Sequence, residues 1–327
     1  MQPTNTIWSD KVSNVAQVGG IETSILDNGL GRGVRIAWIN TGTGLRFKVV
    51  IDRAMDIADA FYNQYSLTWL NHPGIVAPQP FSHKGTDWLR TFGGGLVTTC
   101  GLSHVGGPEQ DEFGERGLHG MISNIPAEVV SIIQPDPARG IFVMSITGII
   151  KQTQIFGPSL ELKRTISATL GSSTIHLHDE IMNRGNETAP HMLLYHCNFG
   201  WPLADEGAEI YCSGHETNTC EAINEKHNGP GQDVFFMDIA PNKEGVCVCG
   251  IKNNKIGLTA ELKFPKKQLP WLTNWQHWSK GEYVTGIEPG THPPIGQAKA
   301  RTEGSLIFLA PGETRSYDLE INILHHQ

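Results

Sequence analysis

Short apolar segments with the periodicity of β-strands recur along the whole chain, and they constrain its fold more than any other feature. The last of them, 317–323, alternates apolar and polar residues, the pattern of a half-buried antiparallel strand. No stretch with helical amphipathicity is longer than about ten residues. The other predicted strands are 34–39, 47–51, 141–150, 160–166, 175–181, 192–195, 256–262, 283–287 and 306–309.

The composition agrees with many strands joined by turns. The 327 residues include 37 glycines and 19 prolines, which is a high content for a helical protein. No internal repeat, low-complexity run or linker is visible. We therefore predict an all-β fold, a large antiparallel β-sandwich with few short helices, formed by a single domain of residues 1–327.

Charge and cysteine content narrow the class of partner. Lysine and arginine total 25 against 33 acidic residues, with no basic run, so neither nucleic acid nor a membrane surface is an expected partner. No secretory signal and no apolar run of about 20 residues is present. The six cysteines lack zinc or redox spacing, which favours reduced thiols in a cytoplasmic protein. A small-molecule partner is expected, and a homo-oligomer is left open.

Two polar clusters occur in the first third of the chain. Arg53 lies between carboxylates and apolar residues at 51–57, where it is a candidate to bind sugar hydroxyls or a carboxylate. The alternative is a structural ion pair with Asp52 or Asp56. The glycine-rich stretch 92–107, which contains the candidate binding residue His104, lacks the features of a phosphate-binding loop and favours close packing at a cleft wall.

Three further segments place chemistry-bearing residues at strand ends or between glycines. His119 has little side-chain cover, and histidine titrates near neutrality, although a buried structural histidine is an alternative. A predicted strand leads into His196 and Asn198, followed by Trp201, whose ring is suited to pack against a sugar. Glu288 ends another strand before a proline, where it is either a general base or an exposed terminal residue.

Two other patterns are weaker. Tryptophans cluster near residue 275 and predict either a ligand-stacking wall or a sandwich edge, with Trp275 and Gln276 as candidate binding residues. Metal ligands are suggested by the alternation of His176, His178 and Glu180, but a solvated strand face is the favoured interpretation.

Taken in order, four motifs resemble the aldose 1-epimerase (galactose mutarotase-like) superfamily. Leu118-His119-Gly120 resembles its Leu-His-Gly-Gly step, and the segment from His196 to Gly200 resembles its Asn-His-Ser-Tyr-Phe-Asn segment. Gly286-Ile287-Glu288-Pro289 resembles the segment that carries the family's catalytic glutamate on a strand. The Leu-Ala-Pro-Gly-Glu at 309–313 resembles the family's Leu-x-Pro-Gly-Glu motif.

The chain also departs from the family pattern. Tyr195 stands where the family has asparagine, and Met121 where it has a second glycine. The family's substrate-binding aspartate has no clear match, and Arg53 lies farther from His119 than the family's arginine lies from its first histidine. The chain is similar to a divergent branch of the superfamily.

The resemblance implies a supersandwich with a sugar site in a cleft across one sheet. It implies an aldose 1-epimerase-like isomerase that interconverts sugar anomers without metal or organic cofactor, with Glu288 as base, His196 as acid and His119 stabilising charge. One alternative is a metal-dependent sugar isomerase or lyase in the same cleft, where His104 would join these three residues. The other is a non-catalytic carbohydrate-binding module.

Overall fold

The computed structural model describes residues 9–79 and 84–326, so part of the loop expected between His72 and Gly85 lies outside the described residues. The first eleven strands are β1 Gly20–Ile25, β2 Arg35–Asn40, β3 Leu45–Val50, β4 Asp56–Tyr62, β5 Tyr65–Ser66, β6 Thr98–Leu102, β7 Glu109–Asp111, β8 Gly114–Arg116, β9 Glu128–Ile133, β10 Val143–Thr153 and β11 Ser159–Thr169. The next eleven are β12 Thr174–Asn183, β13 Ala189–Gly200, β14 Glu209–Cys212, β15 Asn218–Thr219, β16 Asp233–Met237, β17 Val246–Asn253, β18 Leu258–Pro265, β19 Trp271–Ser279, β20 Glu282–Gly290, β21 Ile307–Leu309 and β22 Thr314–His325.

Within the described residues, helical structure is limited to short pieces. The two α-helices are α1, Trp88–Thr91, and α2, Gln297–Thr302. Neither helix in the described part of the chain is long and apolar enough to cross a bilayer. Three-residue 3₁₀ turns occur at Ser9–Lys11, Val15–Gln17, Gly29–Gly31, Ile122–Asn124, Pro137–Arg139 and Glu225–His227.

The strands form three large antiparallel sheets and one small hairpin. The first sheet has the order β1-β2-β3-β4-β5, and the second has the order β15-β14-β17-β18-β22-β12-β11-β10-β9. The third has the order β16-β19-β20-β13-β21, with β6 also paired to β13, and β7 pairs with β8. The predicted all-β class and large antiparallel β-sandwich with few short helices are confirmed.

Each predicted strand overlaps an observed one, and the period-two pattern explains why. In β22, Tyr317, Leu319, Ile321 and Ile323 are buried, while Asp318 and Glu320 are only partly covered. The sequence pattern does not predict β19 as a strand, because polar residues occupy buried positions on both of its faces. Burial of both faces removes the hydrophobic alternation on which such a prediction depends.

One continuous hydrophobic core joins the three large sheets. It contains Phe47 from the first sheet, Ile166 and Leu262 from the second, and Cys197 and Ile287 from the third. Side chains on one face of β13 and β20 therefore point into this core. The residues that alternate with them must point to the opposite face, where the cleft described below lies.

A buried ionic network crosses this core. The guanidinium of Arg164 donates to both carboxylate oxygens of Asp179, at 2.9 and 2.7 Å, and to Asp56 at 3.0 Å. Tyr195 donates to Asp179 at 2.7 Å, and Thr99 donates to Asp56. Because each buried charge is paired and hydrogen-bonded, the network holds β4, β6, β11, β12 and β13 in a defined arrangement.

Candidate active site

Strand register brings side chains from four strands of the third sheet into rows on its outer face. Phe236 of β16 pairs with Thr273 of β19, and Thr273 pairs with Glu288 of β20. Between β20 and β13, the pairs Leu194–Gly290 and Cys197–Ile287 place His196 beside Glu288. Directly opposed residues share a face of the sheet, so these side chains project into one space.

His196 and Glu288 are in direct contact at the base of a cleft. The Nε2 atom of His196 lies 3.2 Å from Oε1 of Glu288, and the residues are only 6% and 2% exposed. The contact lacks hydrogen-bond geometry, so this carboxylate oxygen has no hydrogen-bond partner, and Nδ1 of His196 has none either. Buried polar atoms are normally hydrogen-bonded, so the lack of a partner at Oε1 of Glu288 and Nδ1 of His196 indicates that a polar ligand binds to them.

His119 approaches the same pair from a loop. Its φ is 55°, in the left-handed region, and its backbone is tied by hydrogen bonds from its N–H to Gly106 and from Gly101 to its carbonyl. A non-glycine residue in this conformation is strained and needs such surroundings to persist. The ring meets that of His196 edge to face, with centroids 6.0 Å apart, and its Nδ1 has no hydrogen-bond partner.

Aromatic side chains line the walls around these polar groups. Trp275 packs edge to face against His196 at 5.4 Å, Phe92 lies 5.1 Å from His196, and Trp88 lies 4.9 Å from His119. Together they border a cleft of about 630 Å³, within the usual size range of small-molecule sites. Apolar walls with a few polar groups at the base suit a ligand that has both C–H faces and hydroxyls, such as a sugar.

Burial changes the protonation of the polar groups. It raises the pKa of Glu288 well above its usual value, and it lowers the pKa of His196 to about 3, with His119 as a secondary cause. Burial, followed by the neighbouring His104, lowers the pKa of His119 to about 4. At neutral pH, these shifts favour a protonated Glu288 carboxyl beside a neutral His196 imidazole, so the pair has one proton to transfer.

The structure places Arg53 and His104 outside this cleft. Arg53 donates to Oδ1 of Asn124 and, at 3.0 Å, to the carbonyl of Thr91, and it borders a separate small cavity. Asp52 pairs with a different arginine, Arg35. Within the described residues Arg53 forms no ion pair with Asp52 or Asp56, and it does not line the cleft of His196 and Glu288.

His104 is fixed by its own surroundings. Its Nε2 lies 2.8 Å from the carbonyl of Gly107, and its Nδ1 accepts from the backbone N–H of Gln297 at 3.3 Å. Both ring nitrogens are occupied, and the side chain is buried.

Three other sequence candidates are not among the residues that line the cleft. Asn198 donates to the carbonyls of Gly95 and His196, at 3.0 and 2.9 Å, and Trp201 is 70% exposed just beyond the end of β13. Gln276 lies on the opposite face of β19 from Trp275 and donates to Asn274 at 2.7 Å. Neighbouring residues of a strand face opposite sides, so Trp275 and Gln276 do not share a site.

Several cleft residues were not identified from the sequence. Thr273 and His277 alternate with Trp275 along β19, so period-two spacing from Trp275 would have indicated both. Trp69 and Trp88 come from segments outside the predicted strands, and no local pattern relates them to His196. The glycine-rich stretch contributes Phe92, Gly106 and Gly107 to the wall.

Metal ligation has no donor set in the described residues. No group of three His, Cys, Asp or Glu side chains within 9–79 and 84–326 is arranged to hold an ion. The alternating His176, His178 and Glu180 of β12 lie on a solvated face, where His178 contacts Asp318 at 2.7 Å and Glu180 contacts Lys163 at 2.7 Å. The solvated strand face that the sequence favours for this segment is therefore what the structure has.

Comparison with solved structures identifies the fold. A "putative aldose 1-epimerase" from Klebsiella pneumoniae superposes with a TM-score of 0.84 at 23% identity, over 96% of this chain and 87% of that one. A galactose mutarotase-like protein from Clostridium acetobutylicum gives 0.66 at 11% identity, over 93% and 98% of the chains. A galactose 1-epimerase from Lactobacillus acidophilus gives 0.61 at 11%, over 94% and 99%.

The expected galactose mutarotase-like fold is thus confirmed, and the low identities agree with a divergent branch. No curated protein matches the sequence. A family model described as a domain of unknown function, DUF4432, matches residues 31–323. Since this match spans most of the chain, the protein belongs to the DUF4432 family.

Proposed function

We propose that the protein is an aldose 1-epimerase-like isomerase that interconverts the anomers of a sugar bound in the cleft. The observation that carries the proposal is the contact between Glu288 and His196 under an aromatic wall, with Oε1 of Glu288 and Nδ1 of His196 left free of hydrogen bonds. Mutarotation needs one group to take a proton and another to give one, and this pair holds one proton between them.

The reaction follows from that single proton. Glu288 takes the proton of the anomeric hydroxyl, the bond from C1 to the ring oxygen breaks as the carbonyl forms at C1, and His196 gives a proton to the ring oxygen. Rotation about C1–C2 and reclosure by the reverse transfers yield the other anomer. We propose that His119 stabilises charge at the ring oxygen or binds a neighbouring hydroxyl, and that Trp275 packs against the sugar.

The pKa shifts of Glu288 and His196 are compatible with these roles. A Glu288 carboxylate beside a His196 imidazolium contains the same number of protons as a Glu288 carboxylic acid beside a neutral His196 imidazole. Sugar hydroxyls that donate to Glu288 would favour its carboxylate form, because hydrogen bonds to a charged group lower the cost of its burial. The proton then resides on His196, which is the form that ring opening requires.

Proton NMR of anomer exchange on a panel of hexoses, pentoses, deoxysugars and uronic acids tests the proposal. We expect faster exchange for at least one sugar, and a loss of about 10²-fold or more in Glu288→Gln. Glu128→Gln, an exposed substitution on β9, is the matched control. Failure to accelerate any sugar, or full activity in Glu288→Gln, would contradict the proposal. Saturable sugar binding without exchange would support the binding-module alternative instead.

We also propose that residues 1–327 act as one domain. The core joins strands from all three large sheets, so no single sheet buries its inner face alone. One cooperative unfolding transition, seen alike by tryptophan fluorescence and far-UV circular dichroism, is the expected result. Two separated transitions would contradict it.

A further inference from the structure

The cleft has a second polar end, away from Glu288. Along β19, Thr273, Trp275 and His277 share the cleft face, and Thr273 is the residue that pairs with Glu288. His277 is four residues farther along the strand, about 13 Å at 3.3 Å per residue. That separation exceeds the width of one pyranose ring and is close to that of two.

His277 is held in one orientation at this end. Its Nδ1 lies 2.7 Å from the carbonyl of Gly231, which can only accept, so Nδ1 carries the hydrogen. The ring is stacked between Trp275, at 6.1 Å and 16°, and His227, at 6.0 Å and 5°. Its Nε2 is therefore directed at the carboxylate of Glu282, 3.4 Å away.

Glu282 is the more accessible partner. Its side chain is 41% exposed and borders the same cleft, and its other oxygen lies 3.7 Å from Nδ1 of His72. Neither contact of Glu282 with these rings is a close hydrogen bond. The carboxylate of Glu282 thus lies near two imidazoles at the rim without a close hydrogen bond to either, and its oxygens are suited to accept hydrogen bonds from sugar hydroxyls.

Between the two polar ends, Trp275 forms an apolar platform. Its Nε1 donates to Gln232 at 2.8 Å, and Trp69 supports it edge to face at 6.0 Å. On the far side, Val234 and Phe236 of β16 extend the apolar surface, 40% and 49% exposed. A sugar chain could pack its C–H faces along this surface.

The lining of the cleft also disfavours a negatively charged ligand. Among the described residues that line it there is no lysine or arginine, while Glu282 and Glu288 are both present. A carboxylate, phosphate or sulfonate on the ligand would find no lysine or arginine to pair with and would lie near the acidic side chain of Glu282. The volume of about 630 Å³ suits a ligand with roughly twice the atoms of one monosaccharide.

We propose that the cleft has a second sugar subsite at His277 and Glu282, and that the substrate is an uncharged reducing disaccharide or longer oligosaccharide. Its reducing unit lies at Glu288 and His196, and the next unit packs on Trp275 within reach of Glu282. This assignment of substrate class rests on the proposed function.

Binding measurements on Glu288→Gln test the subsite without turnover. Isothermal titration compares each monosaccharide with its reducing disaccharides: glucose with cellobiose and maltose, xylose with xylobiose, and mannose with mannobiose. At least one disaccharide should bind about tenfold more tightly than its monosaccharide, because its second sugar unit adds hydrogen bonds to the charged carboxylate of Glu282. Adding Glu282→Gln should remove most of that preference and leave monosaccharide affinity within about twofold, whereas adding Glu128→Gln should change neither.

Two results would overturn the subsite. One is that no disaccharide binds more tightly than its monosaccharide, and the other is that Glu282→Gln weakens both ligands equally. Anomer exchange on the unmodified protein keeps the two proposals apart. Exchange without disaccharide preference removes only the subsite, whereas disaccharide preference without exchange for any sugar removes only the epimerase activity.

Discussion

The carboxylate of Glu288 folds back over Gly286, two residues earlier on the same strand. A Cβ atom built on Gly286 would fall well inside van der Waals contact with Oε1 of Glu288, and 3.3 Å from Cβ of Trp275. The backbone of Gly286 does not have a positive φ, so glycine matters here because it leaves the space that the carboxylate of Glu288 occupies. The same glycine lies between the base and the aromatic platform of the proposed site.

Gly286→Ala should displace the Glu288 carboxylate with little effect on the fold. We expect anomer exchange to fall by about 10²-fold, because proton transfer depends on hydrogen-bond distance. Proton NMR exchange rates and urea denaturation are the measurements. Gly157→Ala is the matched control, since Gly157 lies in an exposed hairpin where an added methyl meets only the side chain of Gln154. Normal exchange in Gly286→Ala would show that the carboxylate position is not critical.

Glu288→Gln should gain stability relative to the unmodified protein as the pH rises. Burial raises the pKa of Glu288 in the folded state, so between about 4.5 and that raised value the native protein holds a proton that the unfolded chain lacks. The free energy of unfolding therefore falls with rising pH in that window, by roughly 1 kcal/mol per unit, and the glutamine variant escapes this loss. Urea titrations of both proteins at pH 5, 6, 7 and 8 give the difference. A difference that does not change with pH would contradict the raised pKa.

His196→Asn should show the opposite sign at acidic pH. Burial lowers the pKa of His196 to about 3, so between pH 6.5 and 3 the unfolded chain binds a proton that the native state does not. The unmodified protein then loses roughly 1 kcal/mol per pH unit as the pH falls, a loss that the asparagine variant lacks. Denaturation of both proteins between pH 7 and 4 measures it. Parallel losses in the two proteins would mean that His196 is protonated in the native state.

Arg53→Gln should lower stability without changing sugar affinity. The guanidinium is buried and bonded to Asn124 and the carbonyl of Thr91, away from the cleft. Loss of these hydrogen bonds should reduce the free energy of unfolding by roughly 1–3 kcal/mol. KM for the sugar identified by NMR should remain within about twofold. A large rise in KM would restore Arg53 as a substrate-binding residue.

Trp275→Ala and Gln276→Ala form a matched pair on one strand. Trp275 faces the cleft and Gln276 faces Asn274 on the other side. The tryptophan variant should weaken sugar binding by about tenfold, because it removes the aromatic platform. The glutamine variant should keep its affinity and unfold at lower urea concentration, because it leaves a buried amide without its partner. Reversed effects would mean that the register of β19 is shifted by one residue.

The elements of the site that the sequence indicated are those with a local signature. Glu288 before a proline at a strand end, and His196 at the end of an apolar run, can be recognised within a few residues. Arg53, His104 and Gln276 carry the same kinds of polar groups in similar local settings, yet they lie elsewhere. Gln276 points away because it lies on the other face of β19, which strand register decides, whereas Arg53 lies in the turn after β3 and His104 in the loop after β6.

Period-two alternation and turn residues are properties of neighbouring positions, so the sequence by itself determined that the chain folds into antiparallel strands. The meeting of His196 with Glu288 depends instead on β13 pairing with β20, strands that are some ninety residues apart. His119, Trp88 and Phe92 reach the same space from loops and a short helix. Only the tertiary structure decided this assembly, because non-local pairing and the burial that shifts the pKa values arise when the sheets pack together.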